Sequence, residues 1–230
     1  MRCGGTTSIA TVSPRHSPKN RPIHPAPNLV PMSMMRFAVV DTETTGLSSD
    51  NDRLLQIGVV VVRADGQVEN QFATHIKRRF LKPGHLGAHF VHGITRSDLR
   101  NGIPISEAIL AMQEMIEGCV FTAHNAQFDL GFLRAEARRA NVSLLIDAPI
   151  CTLKMSRSLD PKLTMSHKLS EIAKRYGVVN ARAHDALADA QVTAAVLPRL
   201  LGELGITTVE QLSPFVVTPK PAKKILRRSA

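Results

Sequence analysis

The sequence predicts an α/β domain, a mixed sheet of five strands with helices on its faces. Three observations predict it. The apolar residues are mostly Val, Leu, Ile and Ala, while aromatics are sparse at 4%, the composition that alternating strands and helices need. Three strand-length segments come first, two of them separated by Asp65-Gly66, a strong hairpin signal. After residue 104, segments with helical spacing alternate with short apolar runs. With 230 residues, 43% of them hydrophobic, the chain suffices for one domain with a full core and two short extensions.

In chain order, residues 1–35 are rich in Pro, Ser, Thr and basic residues, lack periodicity and are expected to be a disordered leader. Met32, Met34 or Met35 is a candidate natural start. Residues 36–42, 54–63 (LLQIGVVVVR) and 67–77 read as strands. PISEAILAMQEMIEG, 104–118, has helical spacing, with Ser106 a candidate N-cap. CVFTA, 119–123, is a short buried strand, 128–141 a helix with a basic solvated face (Arg134, Arg138, Arg139), and 146–152 a last strand. Residues 167–176 and 185–201 read as helices. The expected division is a leader 1–35, a domain 36–205 and a basic tail 206–230.

The net charge of +10 is confined to the ends. Residues 1–36 and 216–230 each carry five bases and no acid, so the intervening chain is balanced. The domain is no polycation that holds nucleic acid by bulk charge. Three widely spaced cysteines, Cys3, Cys119 and Cys151, argue against a disulfide framework and, without a Cys-x-x-Cys pair, against a thiolate zinc site. Apolar runs reach about eight residues where a membrane span needs about twenty. These features fit a cytoplasmic bacterial protein. Organellar import through residues 1–35 is the alternative, although their prolines would break a transit helix.

Chemistry enters with FAVVDTETTGL, 37–47. Asp41 and Glu43 stand two apart on a strand and point to one face. Asp129, in VFTAHNAQFDLGFL, follows a buried strand and opens a helix. Asp189, in RAHDALADAQVTAAVL, lies among apolar helix neighbours that turn it inward. Taken alone, each is ordinary: a strand-end turn, a helix N-terminal acid, a surface position. Together, four carboxylates without adjacent bases are best explained by hard divalent cations, Mg²⁺ first, with oxygen ligands. His184 lies five residues before Asp189, off its helix face. That places His184 in the preceding loop, where a neutral imidazole can take a proton from water. Two Mg²⁺ ions about 3.5–4 Å apart suit in-line displacement at phosphorus, hence phosphodiester hydrolysis.

In order and spacing, DTETTG, HNAQFD and HDALADA resemble the three motifs of the DEDDh 3′–5′ exonucleases, of the type found in the epsilon proofreading subunit of bacterial DNA polymerase III. The resemblance covers roughly 36–201, and FVHGITRSDL (90–99) and KLSEIAKRYGV (168–178) agree with it. It implies a ribonuclease H-like fold with a central mixed five-stranded sheet flanked by helices. It also implies two Mg²⁺ ions, with Mn²⁺ able to substitute, held by Asp41, Glu43, Asp129 and Asp189, and His184 as general base. Thr44, Thr45, Gly46 and Leu47 would hold the terminal nucleotide. His124, Asn125 and Phe128 would shape the pocket, and His92 would line it. Digestion from the 3′ end of DNA with release of 5′-mononucleotides, in proofreading or repair, follows from the resemblance. The alternatives are a superfamily RNase that trims RNA 3′ ends and a non-catalytic polymerase-associated subunit. Expected partners are single-stranded or frayed 3′ ends of DNA (or RNA) and a DNA polymerase; no membrane is expected. QLSPF, 211–215, resembles the peptide that binds bacterial sliding clamps, with Pro214 where that peptide has Leu.

Overall fold

The computed structural model describes residues 1, 30–78, 86–87 and 89–218. The disorder expected of 2–29 and the basic end of the tail, 219–230, lie outside the described residues. Five strands form one sheet: β1 (Arg36–Thr44), β2 (Leu54–Arg63), β3 (Val68–His75), β4 (Val120–Ala123) and β5 (Ile150–Cys151). Their spatial order is β3-β2-β1-β4-β5. β1–β2 and β2–β3 pair antiparallel, whereas β1–β4 and β4–β5 pair parallel, so the expected mixed sheet is present. The turn at Asp65-Gly66 is closed by Arg63 N–H donating to the Gln67 carbonyl at 2.9 Å, with Gly66 at φ 95°.

Helices cover both faces: α1 (His89–His92), α2 (Arg96–Asn101), α3 (Ile105–Ile116), α4 (Ala126–Ala140), α5 (Thr152–Ser158), α6 (Leu169–Arg175) and α7 (Ala186–Glu203). Strand alternation sorts them into two layers. Phe37 and Val39 of β1, with Val60 and Val62 of β2, pack against Val196, Leu197, Leu200 and Leu201 of α7. Ala38, Val40, Ile57 and Val59 pack against Met112 of α3 and Leu130, Phe132 and Leu133 of α4. β2 is buried at nearly every position, as a strand covered on both faces must be. β3, at the sheet edge, exposes most of its residues.

The differences from expectation are local. The third helix starts at Ile105 behind Pro104, and no side chain caps it, so Ser106 is inside the helix rather than its cap. The last strand shrinks to Ile150–Cys151, because the chain enters α5 at Thr152. Among the described residues no helix is long and apolar enough to cross a membrane.

Packing runs past both expected domain boundaries. Pro31 bridges to Thr208, Met32 N–H donates to the Thr207 carbonyl at 2.8 Å, and the Met32 side chain is buried in the α7 core. Residues Val209–Phe215 form a 3-10 segment whose Leu212 and Phe215 are 3% and 8% exposed in that same core. A clamp-binding peptide must offer its Leu and Phe outward; here those two anchors are interior side chains. Phe215→Ala is expected to lower stability by about 3–5 kcal/mol, read from the denaturant midpoint. A loss under about 1 kcal/mol, in the range of a surface change, would remove the segment from the core.

Candidate active site

The site lies at the end of β1, where the two layers meet. Asp41 and Glu43 share the strand face of Phe37 and Val39, which looks towards α7. Opposite Asp41 in β2 stands Gly58. A Cβ at Gly58 would lie 2.3 Å from the Ala186 carbonyl carbon, so only glycine lets the start of α7 sit directly on the strand. Beside it, buried Gln56 donates Nε2–H to Asp185 Oδ2 at 3.2 Å and accepts the Ala186 N–H at 3.1 Å. Asp185 caps the helix by accepting the Ala188 N–H at 3.0 Å. These contacts fix α7 so that Asp189, one turn on, faces the β1 acids.

The Asp189 carboxylate accepts Asn180 Nδ2–H and the His184 backbone N–H, the latter at 3.0 Å. His184 holds a left-handed φ of 66° in the turn before α7, its side chain exposed. That is the loop position expected from its spacing. Asp129 reaches the site from the other layer, in the first turn of α4, behind Asn125 at φ 62°. It is 2% exposed, and Thr42 Oγ1, which points to the α4 side of β1, donates to its Oδ1 at 2.8 Å.

Ligand atoms of Glu43, His184 and Asp189 all lie within 4.8 Å of one another. Asp41 and Asp129 join them through the field. Burial, then the charges of Asp129, Asp189, Glu43 and Asp185, hold Asp41 well above the usual carboxylate range. Burial, then Asp189, Asp129 and Asp185, push Glu43 up to about 8. Burial raises Asp129 to about 7 against the opposing Thr42 bond. Burial raises Asp189 too, against the bonds from Asn180 and His184. Among the described residues no Lys or Arg forms an ion pair with any of the four. Crowded, unneutralised oxygen donors of this kind fit hard divalent cations.

A linkage follows. Above about pH 4 an unfolded carboxylate has released its proton, whereas folded Asp129 and Glu43 retain theirs to about 7 and 8. Their contribution to metal-free stability is therefore full below about pH 4 and is lost as pH rises through 7 and 8. Mg²⁺ is expected to raise the melting temperature more at pH 8 than at pH 5, and EDTA to reverse the rise. Equal shifts at the two pH values would remove the carboxylates as the ion's ligands.

The remaining expected residues fall around this cluster. Thr44 Oγ1 donates to the Gly46 carbonyl at 2.6 Å. Thr45 Oγ1 donates to Asp52 Oδ1 at 3.3 Å. A Cβ at Gly46 would meet the Asp52 carboxylate at 2.5 Å, so a larger residue there would displace the side chain that Thr45 and the Ser48 N–H bond to. Leu47 projects from this loop, 88% exposed. The loop is tied down by Arg139, which donates to the Ser49, Asp50 and Asp52 carbonyls and to Glu136, itself 1% exposed and paired to Arg78. Arg139 is thus a strut rather than part of the solvated face expected for that helix.

His124 and Asn125 line a cleft next to Asp189, and Phe128 packs on Phe132 at 5.0 Å between ring centroids. Both His124 nitrogens are occupied, by the Thr152 hydroxyl and the His167 carbonyl, and burial lowers its pKa to about 4, so the ring is neutral. His92 uses both nitrogens inside its own turn, with the Leu86 carbonyl and the Ile94 N–H. Sequence reasoning missed Thr42, Gln56, Asn180 and Asp185, which hold the clustered carboxylates or the helix bearing them. Polar Thr42 and Gln56 inside apolar strands were the available signal.

The comparisons with known proteins agree. The exonuclease family model RNase_T matches residues 38–197. The chain is 33% identical to the PolC-type DNA polymerase III of Streptococcus agalactiae over 195 residues, 82% of this chain but 13% of that protein. It is 32% identical to the PolC-type enzyme of Streptococcus thermophilus over the same fraction. The chain therefore spans about one eighth of the length of these relatives. Among solved structures, exonuclease X in complex with 5′ overhanging duplex DNA superposes with a TM-score of 0.60 at 25% identity, covering 78% of this chain and 98% of that one. The nuclease domain of 3′hExo, a DEDDh family member bound to rAMP, superposes with a TM-score of 0.63 at 12% identity, covering 80% and 97%. A ribonuclease H-like sheet, an acidic group at its end and a family match across more than half of the sequence make this chain a member of the DEDDh exonucleases, a metal-dependent nuclease family.

Proposed function

We propose that this chain is a two-metal-ion 3′–5′ exonuclease that removes 5′-mononucleotides from DNA, in proofreading or repair. The observation that carries the reading is the convergence of Asp41, Glu43, Asp129 and Asp189 from three elements at one end of the sheet, with His184 exposed beside them. Similarity to PolC-type polymerases supports DNA as the substrate and a DNA polymerase as the partner. Those relatives are bacterial and support a place in the cytoplasm.

Asp41, Glu43, Asp129 and Asp189 would hold two Mg²⁺ ions, for which Mn²⁺ substitutes. Such ions neutralise charge on the attacking and leaving oxygens and acidify water. The chain's own groups do the rest. Thr44 to Leu47 seat the terminal nucleotide, with Leu47 against the base. His184 takes a proton from the attacking water at a ring nitrogen; neither ring nitrogen bonds to another described residue. The water oxygen bonds to phosphorus and the bond to the 3′-oxygen breaks, with its electron pair leaving on that oxygen, which takes a proton. The products are a 5′-mononucleotide and a strand shortened by one, ending in a 3′-hydroxyl. Asn180 keeps Asp189 oriented meanwhile.

The test is digestion of 5′-labelled single-stranded DNA and RNA with Mg²⁺ or EDTA. A Mg²⁺-dependent ladder shortening from the 3′ end on DNA is expected. A ladder on RNA alone moves the enzyme to the RNase branch. No ladder on either, with Mg²⁺ or Mn²⁺, leaves a binding role.

A further inference from the structure

No residue from Glu43 to Arg53 is fully buried, so core packing does not decide where the loop after β1 lies. Within itself the loop is closed. Thr45 N–H donates to the Arg53 carbonyl at 2.8 Å, and Asp52 accepts the Ser48 N–H at 2.9 Å. These bonds give the loop a shape but not a place on the protein. Its place comes from α4. Ser49 lies over Gly131, where an added Cβ would stand 3.6 Å from the Ser49 hydroxyl. Eight residues further, about 12 Å along the helix, Arg139 donates to the carbonyls of Ser49 at 2.5 Å, Asp50 at 2.7 Å and Asp52 at 3.4 Å.

The guanidinium is itself aimed by a buried carboxylate. Arg139 Nη1 donates to Glu136 Oε1 at 3.1 Å, and Glu136 is 1% exposed. The other oxygen, Oε2, accepts from Arg78 at 2.7 Å. Arg78 also donates to the Leu54 carbonyl at 3.2 Å, where β2 begins, and its backbone N–H donates to the Leu99 carbonyl of α2 at 3.1 Å. Glu136 therefore joins α4 to the loop through one arginine and to the start of β2 and to α2 through the other. A second close approach meets the same loop. A Cβ at Gly87, φ 66°, would stand 2.1 Å from the Thr45 carbonyl oxygen.

Stability does not account for this arrangement. Apolar side chains in place of a buried ion network are often neutral or stabilising. They cannot hold the carbonyls of Ser49, Asp50, Asp52 and Leu54 at fixed distances, whereas planar guanidinium groups with several donors can. What the charges supply is position. The helix that supplies it is the one that carries Asp129. Seven residues separate Asp129 from Glu136, which puts them about 20° apart around α4. One face of one helix thus sets both a carboxylate of the cluster and the loop from which Leu47 projects.

We propose that Arg139, aimed by Glu136, is a positioning residue that holds the loop of Thr45, Gly46 and Leu47 against Asp129 and so sets how tightly the terminal nucleotide is seated. It touches no substrate itself. The inference rests on the nuclease reading above and on the seating role given there to this loop. Two variants test it. Arg139→Lys keeps a cation beside Glu136 but replaces the fork by one ammonium, which cannot reach the carbonyls together. Arg139→Ala removes both charge and fork. The substrate is the p-nitrophenyl ester of thymidine 5′-monophosphate, which fills the terminal-nucleotide site alone. In both variants its KM should rise about 10-fold with kcat within about twofold of wild type, and thymidine 5′-monophosphate should inhibit about 10-fold less well. The Mg²⁺-induced rise in melting temperature should match wild type, which shows that the fold and the carboxylates are in place. A wild-type KM in Arg139→Lys would mean that only the charge beside Glu136 matters, and would overturn the positioning role. So would a fall in kcat at unchanged KM, or a lost response to Mg²⁺, since either puts the effect at the carboxylates and not at the loop. A wild-type protein that hydrolyses neither the ester nor DNA would overturn the nuclease reading and the positioning role with it.

Discussion

Asp41→Ala is expected to abolish hydrolysis and, in the absence of metal, to raise the melting temperature at pH 8. The two effects share a cause. Burial first, and then the charges of Asp129, Asp189 and Glu43, push the proton affinity of Asp41 up. With cations bound, that crowding would supply their oxygen ligands. Without them it is repulsion, which removal of one anion relieves. Loss of an outer partner of a metal site costs about 10- to 100-fold. Loss of a carboxylate of the cluster itself should cost more, about 10³-fold or beyond in kcat. Single-turnover digestion and a melt in EDTA measure the two effects on one preparation. Wild-type turnover in Asp41→Ala would discard the site assignment. A mutant that is inactive and also less stable in EDTA would make Asp41 a structural residue.

His184→Ala should lower kcat by about 10²- to 10⁴-fold, the usual worth of a positioned general base, with KM little changed. Because His184 sits at φ 66°, alanine adds backbone strain to the loss of the ring. His184→Asn is the better variant, since asparagine visits this conformation readily and its side chain is a poor proton acceptor. Its backbone N–H can still donate to Asp189. The expected result is equal slowing in the two variants, with unchanged Mg²⁺-induced thermal shifts. If asparagine restored the rate, the residue would act through the turn it shapes and not through its imidazole.

Much of the architecture was legible in the chain. Apolar segments at 54–63 and 119–123 and the Asp65-Gly66 turn placed three strands, because strand burial and left-handed glycine are local properties. Helices α3, α4, α6 and α7 appeared near their actual bounds for the same reason. α5 did not appear, since TLKMSRS carries no clear periodicity and helps bury its own Met155 only when docked beside α7. QLSPF, 211–215, resembles a clamp-binding peptide in sequence apart from Pro214. Its Leu and Phe look free in sequence, and only the core beneath α7 shows where they go.

The same division runs through the site. Composition and motif spacing by themselves singled out four carboxylates and one histidine and led to the expectation of a cation, because like charges so placed have no neutralising partner nearby in the chain. They also put His184 off the helix that carries Asp189, a matter of about 100° per residue. Contacts between segments 80 to 130 residues apart belonged to the tertiary structure alone. Thr42 on Asp129, Gln56 on Asp185 and Gly58 beneath Ala186 are pairings of this kind. So is the cleft next to Asp189, which is lined by side chains from the turn before α4, from α5 and from the turn before α7. Periodicity records which face a residue presents, not which distant residue meets it. The positions that hold the chemistry in place therefore became visible only when the sheet brought its two helical layers to one end.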